Sequence, residues 1–233
     1  MTPADETEAP GLSPELAIAL ARRLRHEVGD FLQKVYATVA ILQGRLPAQY
    51  QQERDLLLRM RRQGESCKEL LDSVQDFLCP IHLNLEPLDV AALTMELVRD
   101  AQPRWPALEI RCEGSGPATV LADFERIAQV GKMLLANACE AARQRVTLRT
   151  VSVPETRIVE WTIRDDGPGA STEHLGQLFT PFFSTRPGHG GLGLTLARKL
   201  ILLHRGQITT ENLTEGGFQV VVRLPQELEA AVN

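Results

Sequence analysis

The sequence predicts an α+β chain in which an N-terminal helical hairpin precedes a mixed β-sheet with helices on one face. Two observations predict the two parts. In the first third of the chain, apolar residues alternate at spacings of four and three residues, which is the pattern of a coiled-coil seam. From about residue 84 onward, short segments with the two-residue period of β-strands alternate with longer helical patterns.

The predicted hairpin covers residues 13–80. Ser13 can cap a first helix that starts at Pro14, and Pro47 ends this helix because proline disfavours the helical conformation of the residue before it. Two antiparallel helices bury little apolar surface by themselves, so we expect a second copy to complete a four-helix bundle as a homodimer. The seam positions are Leu24, Val28, Phe31, Val35, Thr38 and Leu42 in the first helix and Leu56, Met60, Gln63, Cys67, Leu70, Val74 and Phe77 in the second.

The predicted second domain covers residues 84–228. Residues 1–12 precede both domains and are rich in proline and acidic residues, which predicts a disordered tail. Strands of the second domain are expected at residues 108–112, 146–153, 157–164 and 217–224, and helices at residues 90–101, 123–144 and 192–204.

Composition narrows the classes of function. The net charge of -5 disfavours a nucleic-acid partner, which usually requires a basic surface. No apolar run approaches the roughly 18 residues of a membrane span, and the N-terminus lacks the basic and apolar regions of a secretory signal. The four cysteines form no C-x-x-C pair, so we expect reduced thiols, no zinc site and a cytoplasmic location.

A glycine-rich loop raises the question of a nucleotide. Residues 188–193 read GHGGLG, which fits the G-x-G-x-x-G pattern of dinucleotide sites, but too little chain follows to build a doubly wound sheet. A Walker loop is excluded because no Lys-Ser/Thr follows the glycines. Glycines that let backbone N–H groups approach an anion, followed by a helix N-terminus, favour a phosphate site, with a plain flexible turn as the alternative.

Two further stretches bear on this choice. Residues 165–169 read DDGPG after a predicted strand, where Asp165 could accept a hydrogen bond from an adenine amino group. Asn137 lies among apolar residues of a predicted helix, so if it is buried it needs a hydrogen-bonding or metal partner. Taken alone, the first stretch could be a surface turn and the second a core asparagine.

The order of these features resembles a known family. Asn137, the Asp165-x-Gly167-x-Gly169 turn, the aromatic segment at residues 179–183 and the glycine loop look like the N, G1, F and G2 boxes of the GHKL superfamily, in its histidine kinase branch. The resemblance covers about residues 120–225 and implies an α/β-sandwich ATP-binding domain of the Bergerat fold. The short form of the aromatic segment and loop is similar to the nitrogen-regulatory kinase subfamily.

The resemblance also implies cofactors and site residues. ATP and Mg²⁺ would bind in this domain, with Asn137 holding Mg²⁺ against the phosphates and Asp165 binding adenine. The other implied nucleotide-binding residues are Gly167, Gly169, Phe183, Arg186, Gly190, Gly191, Gly193 and Leu194.

One histidine in the hairpin stands out. His26 lies two residues from both Leu24 and Val28, which places it about 200° around the helix from the seam, facing solvent. By itself it could be an ordinary surface histidine. The following residue is Glu27, and His-Glu on the first helix of a bundle resembles the H box of histidine kinases. This implies that His26 accepts the phosphoryl group, while Glu27 orients the imidazole and takes its proton.

The implied function is a histidine kinase that autophosphorylates His26 from Mg-ATP and passes the phosphoryl group to an aspartate of a response-regulator receiver domain. The first 12 residues are too few for a sensory domain, so we expect a separate sensor or activator protein. Two alternatives remain. One is a histidine phosphotransferase with the same fold and little or no use of ATP. The other is a GHKL serine kinase, which the His26-Glu27 pair disfavours.

Several positions depart from the family pattern. Asp30 stands four residues after His26, where Thr or Asn is usual, which leaves phosphatase activity open. Met133 stands where Asn is common, and Glu140 stands where many kinases carry Lys. Both of these changes favour the phosphotransferase alternative. Arg186 replaces a more common Lys in the glycine loop.

Overall fold

The structure is a computed structural model that describes residues 13–47, 49–114, 116, 118–186 and 190–227. The chain divides into two compact units, Met1–Ile81 and His82–Asn233. The predicted tail at residues 1–12 lies outside the described residues. Within the described parts, no helix combines the length and the apolar character that a membrane span requires.

Two antiparallel helices form the first unit. Helix α1 spans Pro14–Arg45, and helix α2 spans Gln51–Leu78. The Ser13 hydroxyl accepts a hydrogen bond from the backbone N–H of Leu16 at 3.3 Å, as expected of an N-cap. Arg25 Nε donates to Asp72 Oδ1 at 2.5 Å and ties the two helices together.

The hairpin has an inner and an outer apolar face. On the inner face, Ala21, Leu32 and Val39 of α1 are buried, and Gly64 of α2 lies against the ring of Tyr36. The predicted seam divides between the faces, because its residues Val28 and Val35 are half-buried within the hairpin and others are exposed. The exposed apolar seam residues, which we call the outer stripe, are Leu24, Phe31 and Leu42 of α1 and Leu56, Met60 and Leu70 of α2.

The second unit contains two β-sheets. A five-stranded mixed sheet has the order β2-β4-β5-β7-β6, in which only the β2–β4 pair is parallel, and β1 pairs with β3 in an antiparallel ribbon. The strands are β1 (Glu86–Asp89), β2 (Glu109–Glu113), β3 (Thr119–Ala122), β4 (Arg145–Val153), β5 (Ile158–Asp165), β6 (Gln207–Asn212) and β7 (Phe218–Pro225). The helices are α3 (Val90–Ala101), α4 (Phe124–Ala141), α5 (Thr172–Leu175) and α6 (Gly193–Leu203), with a 3₁₀ turn at Gln102–Arg104.

The core lies between one face of the large sheet and the helices α3, α4 and α6. Alternate residues of the central strands are buried on this face, as the two-residue period predicts. Trp161 of β5 is fully buried beneath Gly131 of α4, where an added Cβ would come within 2.5 Å of the indole ring. The predicted α+β class, with a helical hairpin followed by an α/β sandwich, is confirmed.

Local patterns located the central strands to within one residue but missed β1, β3 and β6. The first two have four residues each and pair only with one another, and β6 is an exposed edge strand of mostly polar residues. The helix predicted at residues 123–144 ends earlier, at Ala141. Its end is fixed by Asp166, whose carboxylate accepts hydrogen bonds from the backbone N–H groups of Arg143 and Gln144.

His204 anchors the end of α6 to the start of α4. It is buried, its Nδ1 lies 2.8 Å from the carbonyl oxygen of Leu200, and its Nε2 accepts a hydrogen bond from the Asp123 N–H at 3.0 Å. This arrangement requires a neutral ring, since Nε2 must keep its lone pair. Burial lowers the pKa of His204, against the opposing effects of the Leu200 carbonyl and the Asp123 carboxylate.

The lowered pKa of His204 predicts a loss of stability in acid. Protons bind more readily to the unfolded chain than to the folded one, so the free energy of unfolding should fall as the pH drops below about 6.5. The free energy of unfolding, measured with urea at pH 7.5 and at pH 5.5, should fall more for the wild type than for His204→Gln. The glutamine amide can accept and donate hydrogen bonds without titrating. Equal acid losses in the two proteins would contradict this role of His204.

Candidate functional site

Asp165 ends the central strand β5 and is almost fully buried, with 3% of its surface exposed. One carboxylate oxygen accepts a hydrogen bond from the Gly167 N–H at 2.8 Å. Burial raises the pKa of Asp165, and the hydrogen bond from Gly167 opposes this shift by favouring the charged form. A buried carboxylate with a perturbed pKa at a strand end is a candidate for ligand binding.

The two adjacent aspartates have different roles. Asp166 follows the last residue of β5 and is only half-buried. The Asp166 carboxylate accepts hydrogen bonds from the backbone N–H groups that follow α4. These hydrogen bonds lower the pKa of Asp166, although its partial burial acts in the opposite direction. Of the two, only Asp165 is left to meet a ligand.

The turn after β5 requires glycine because the backbone passes very close to α4. A Cβ on Gly167 would lie 2.4 Å from the carbonyl oxygen of Ala141, a distance that real side chains do not reach. Gly169 follows at a φ of 75°. The next residue, Ala170, is held on both sides by the Asn212 amide, which accepts from its N–H at 2.8 Å and donates to its carbonyl at 2.6 Å.

Asn137 and the N-terminus of α6 lie side by side. Asn137 is half-buried on α4, and a Cβ on Gly193 would lie 3.9 Å from its Nδ2. Helix α6 begins at Gly193, followed by the half-buried Leu194. The first N–H groups of a helix have no partner within the helix, and together with its dipole they favour an anion.

The segment before α6 is partly held to that helix. Phe179 lies under the Arg198 guanidinium at 5.4 Å and accepts a hydrogen bond from the Thr195 hydroxyl at its carbonyl. Phe183 packs against the His174 ring at 5.4 Å.

The glycine loop itself approaches this aromatic segment. The half-buried Gly190 precedes Gly191, which has a φ of 64° and whose added Cβ would lie 2.4 Å from the Phe182 carbonyl carbon. The backbone of Phe182 is also in the left-handed region, with a φ of 64°, and its side chain is exposed. Backbone strain of this kind concentrates at functional sites. The start of the loop, at residues 187–189, lies outside the described residues.

An ion pair connects the glycine-loop segment to α4. Arg186 Nη1 lies 2.7 Å from Glu140 Oε2, and both side chains are partly exposed. Glu140 stands one helical turn after Asn137. Arg186, which the resemblance assigns to nucleotide binding, is therefore paired with Glu140, one helical turn from Asn137 on α4.

His26 lies on the solvent side of α1, with 76% of its side-chain surface exposed. Its Nδ1 lies 3.3 Å from Asp30 Oδ2. Glu27, which the sequence interpretation assigned to the imidazole, instead accepts a hydrogen bond from Arg23 at 3.2 Å. The reason is helical geometry, because residues four apart share a face while the next residue points about 100° away.

The structure thus adds residues that the sequence interpretation left without these roles. Asp30 contacts the imidazole, and the spacing of four from His26 was a usable signal for this contact. Asn212 holds the turn after Gly169 by hydrogen bonds to Ala170. Because it lies 42 residues from Ala170, no local sequence pattern predicts this contact. The contact between Glu140 and Arg186 is equally remote in sequence.

A nucleotide with Mg²⁺ fits this donor set. The described residues contain no group of three or more His, Cys, Asp or Glu side chains that could hold a metal ion. Mg²⁺ in phosphate sites needs only one or two protein oxygens, since phosphates and water supply the others. The amide oxygen of Asn137, beside the open N-terminus of α6, is a suitable ligand.

Comparison with known proteins agrees with this geometry. Residues 122–228 match the family of histidine kinase-, DNA gyrase B- and HSP90-like ATPases. The sensor histidine kinase ZraS of Escherichia coli O157:H7 is 26% identical over 210 residues, which cover 88% of this chain and 45% of ZraS. The predicted resemblance to two-component histidine kinases of the GHKL superfamily is confirmed by these matches.

Other similar proteins agree with this assignment. The sensory histidine kinase/phosphatase NtrB of Rhodobacter capsulatus is 26% identical over 211 residues, covering 84% of this chain and 59% of NtrB. The chain spans about half the length of the curated relatives it matches. Full-length ShkA in complex with AMPPNP shares the fold, with a TM-score of 0.75 and 24% identity over 94% of this chain and 47% of ShkA. The catalytic domain of histidine kinase ThkA, 26% identical, superimposes with a TM-score of 0.57 over 62% of this chain and 97% of that domain.

The close approach at Gly167 predicts the effect of a single methyl group. Gly167→Ala should displace the turn from α4 and move the N–H that orients Asp165, which should weaken binding of Mg-AMPPNP by about tenfold or more, the equivalent of one lost hydrogen bond. Calorimetric titration measures this affinity. Gly176→Ala is the control, because no atom lies within 4 Å of its added Cβ. Unchanged affinity in a folded Gly167→Ala protein would contradict the proposed turn geometry.

Proposed function

We propose that this chain transfers the γ-phosphoryl group of ATP to His26 and that the phosphoryl group then passes to an aspartate of a response-regulator receiver domain. The observation that carries the proposal is the combination, in a chain similar to sensor histidine kinases, of an exposed histidine on a hairpin helix with a buried Asp165 at a glycine turn. A chain that served only to bind a nucleotide would not need the exposed histidine.

Adenine is assigned to Asp165. The side chain is buried and partly satisfied by the backbone N–H groups of Gly167 and Phe218, so its remaining acceptor capacity suits a ligand that can donate a hydrogen bond. The exocyclic amino group of adenine is such a donor. Burial makes this contact discriminating, because an unpaired carboxylate in this position is costly.

The phosphates are assigned to the N-terminus of α6 and to Asn137. The N–H groups of the first turn of α6, from Gly193 onward, can donate to phosphate oxygens. When bound, Mg²⁺ would neutralise charge between the phosphate oxygens, with Asn137 as a protein ligand. Arg186 can exchange Glu140 for a phosphate, since a guanidinium binds carboxylate and phosphate with similar geometry.

His26 is assigned the nucleophilic role. A ring nitrogen forms a bond to the γ-phosphorus, and the bond to the bridging oxygen breaks, so that ADP leaves with the electron pair. Positioning and charge stabilisation supply most of the catalysis in such transfers. The exposed position of His26 suits both steps, because first the γ-phosphate and then the receiver aspartate must reach the ring.

The labelling of His26 is the direct test of the proposed function. Incubation with γ-labelled ATP and Mg²⁺ should give acid-labile label on the wild type and none on His26→Ala, because phosphohistidine is hydrolysed in acid and His26 is the only acceptor proposed. His82→Ala is the matched control and should be labelled like the wild type. Acid-stable label, or label that persists on His26→Ala, would contradict the assignment.

A second candidate function is a phosphotransfer protein that does not use ATP. Glu140 favours it, because this carboxylate binds Arg186 and adds negative charge one helical turn from Asn137, where a triphosphate would bind. For this candidate, ATP should neither bind nor label the chain, while a phosphorylated receiver domain should label His26. A separate sensor or activator protein, and a cytoplasmic location, remain predictions from the sequence.

The outer stripe supports the proposed homodimer. Phe31 has 63% of its surface exposed, and its neighbours along the stripe are apolar, so a second copy of the hairpin could cover them in a four-helix bundle.

Phe31→Glu should therefore shift the protein from dimer to monomer, since burying an unpaired carboxylate in a bundle core is strongly unfavourable. Light scattering coupled to size exclusion measures the mass. Gln33→Glu adds the same charge on the opposite side of α1 and should leave the dimer intact. A dimer that withstands Phe31→Glu would place the interface elsewhere.

A further inference from the structure

Two carboxylates lie near His26, but only one contacts the ring. Asp30 Oδ2 is 3.3 Å from Nδ1 of the imidazole, whereas Glu27 is hydrogen-bonded to Arg23. Arg25, which also lies near His26 in the sequence, donates a hydrogen bond to Asp72 of the other helix. Among the described residues, Asp30 is thus the carboxylate that pairs with the ring.

The spacing of the two residues along the helix favours this pairing. Residues at positions i and i+4 lie on the same face with Cβ atoms about 5–6 Å apart, while a residue at i+1 lies about 100° away. Glu27 shares its face with Arg23, four residues earlier, and Asp30 shares its face with His26. Each carboxylate therefore has its partner at the favourable spacing.

We infer that Asp30 is the positioning residue of the phosphoacceptor: it accepts the Nδ1 proton of His26 in a hydrogen bond and leaves Nε2 as the attacking atom. The role in phosphoryl transfer rests on the proposed function, whereas the choice of tautomer is a property of the hairpin alone. A carboxylate that holds one ring nitrogen fixes the tautomer and therefore the nitrogen that carries the lone pair.

The transfer step balances with this assignment. The neutral ring carries its proton on Nδ1, and the Nε2 lone pair forms the bond to phosphorus while the bond to the ADP oxygen breaks. The ring becomes a cation as the new bond forms, and the Asp30 carboxylate stabilises that charge. The Nδ1 proton then passes to Asp30 or to water, which leaves a neutral ring with phosphorus on Nε2.

Histidine ¹⁵N NMR of the full chain tests the tautomer without ATP. At about pH 8, where an imidazole is neutral, wild-type His26 should carry its proton mainly on Nδ1. Asp30→Ala should move proton population to Nε2, the nitrogen that a free imidazole prefers to protonate. Glu27→Gln removes the competing carboxylate and should leave the proton of His26 on Nδ1. A tautomer that responds to Glu27→Gln and not to Asp30→Ala would overturn the inference.

Labelling from γ-labelled ATP separates positioning from simple folding effects. Asp30→Ala should lose about tenfold or more in initial rate, within the range of proton-transfer contributions. Asp30→Asn retains an acceptor oxygen for Nδ1 but not the charge, so it should keep the tautomer and lose less rate than Asp30→Ala. Asp30→Glu should recover part of the rate. Equal losses in all three variants, with an unchanged tautomer, would show a merely structural role and overturn the inference.

Failure of the proposed function would look different. If ATP does not label the wild type, phosphoramidate can serve as a small phosphoryl donor, and ³¹P NMR identifies the nitrogen that is phosphorylated. Phosphorus on Nε2 in the wild type, with the Nδ1-protonated tautomer before reaction, would support the role of Asp30 although the kinase proposal had failed. Phosphorus on Nδ1 would overturn the inference whatever the result with ATP.

Discussion

The buried carboxylate of Asp165 is the constraint on which the candidate site depends. Burying an ionisable group costs free energy, and the raised pKa of Asp165 reflects that cost. The Gly167 N–H recovers part of it, which fixes the turn, and the turn must pass so close to Ala141 that only glycine fits. Because burial removes this carboxylate from water at a cost in free energy, its position is best explained by a ligand that donates a hydrogen bond to it.

The surrounding elements are arranged around this strand end. Strand β5 is paired on both sides, by β4 and β7, so its end is held rigidly. Asp166 accepts a hydrogen bond from the backbone that follows α4. The same helix carries Asn137, which lies beside the first turn of α6. The residues proposed for the base, the metal and the phosphates therefore lie on three elements of one unit. The hairpin contributes separately, with His26 on its solvent side and the outer stripe as a second apolar face.

The sequence revealed those features whose causes are local. Asp165 with its glycines, Asn137 within an apolar helix and His26 off the seam all depend on neighbours within a few residues. Features that depend on distant pairing were not visible. Asn212 belongs to a polar edge strand and meets Ala170 only through the fold, and Glu140 meets Arg186 across 46 residues. The sequence shows the seam as one pattern. Its division into an inner face and the outer stripe follows only from the packing of α1 on α2. Asp30 was singled out as a departure from the family pattern, and its spacing from His26 would have predicted the contact with the ring.

The most direct test of the central claim is a calorimetric comparison of ATP with inosine triphosphate, both with Mg²⁺, on the wild-type chain. The two nucleotides share the ribose and the phosphates, but a carbonyl oxygen replaces the adenine amino group in inosine. If Asp165 accepts a hydrogen bond from that amino group, the inosine nucleotide should bind at least about tenfold more weakly, because two acceptors then face each other in a buried site. Equal affinities would show that Asp165 does not recognise the base and would contradict the account of the site.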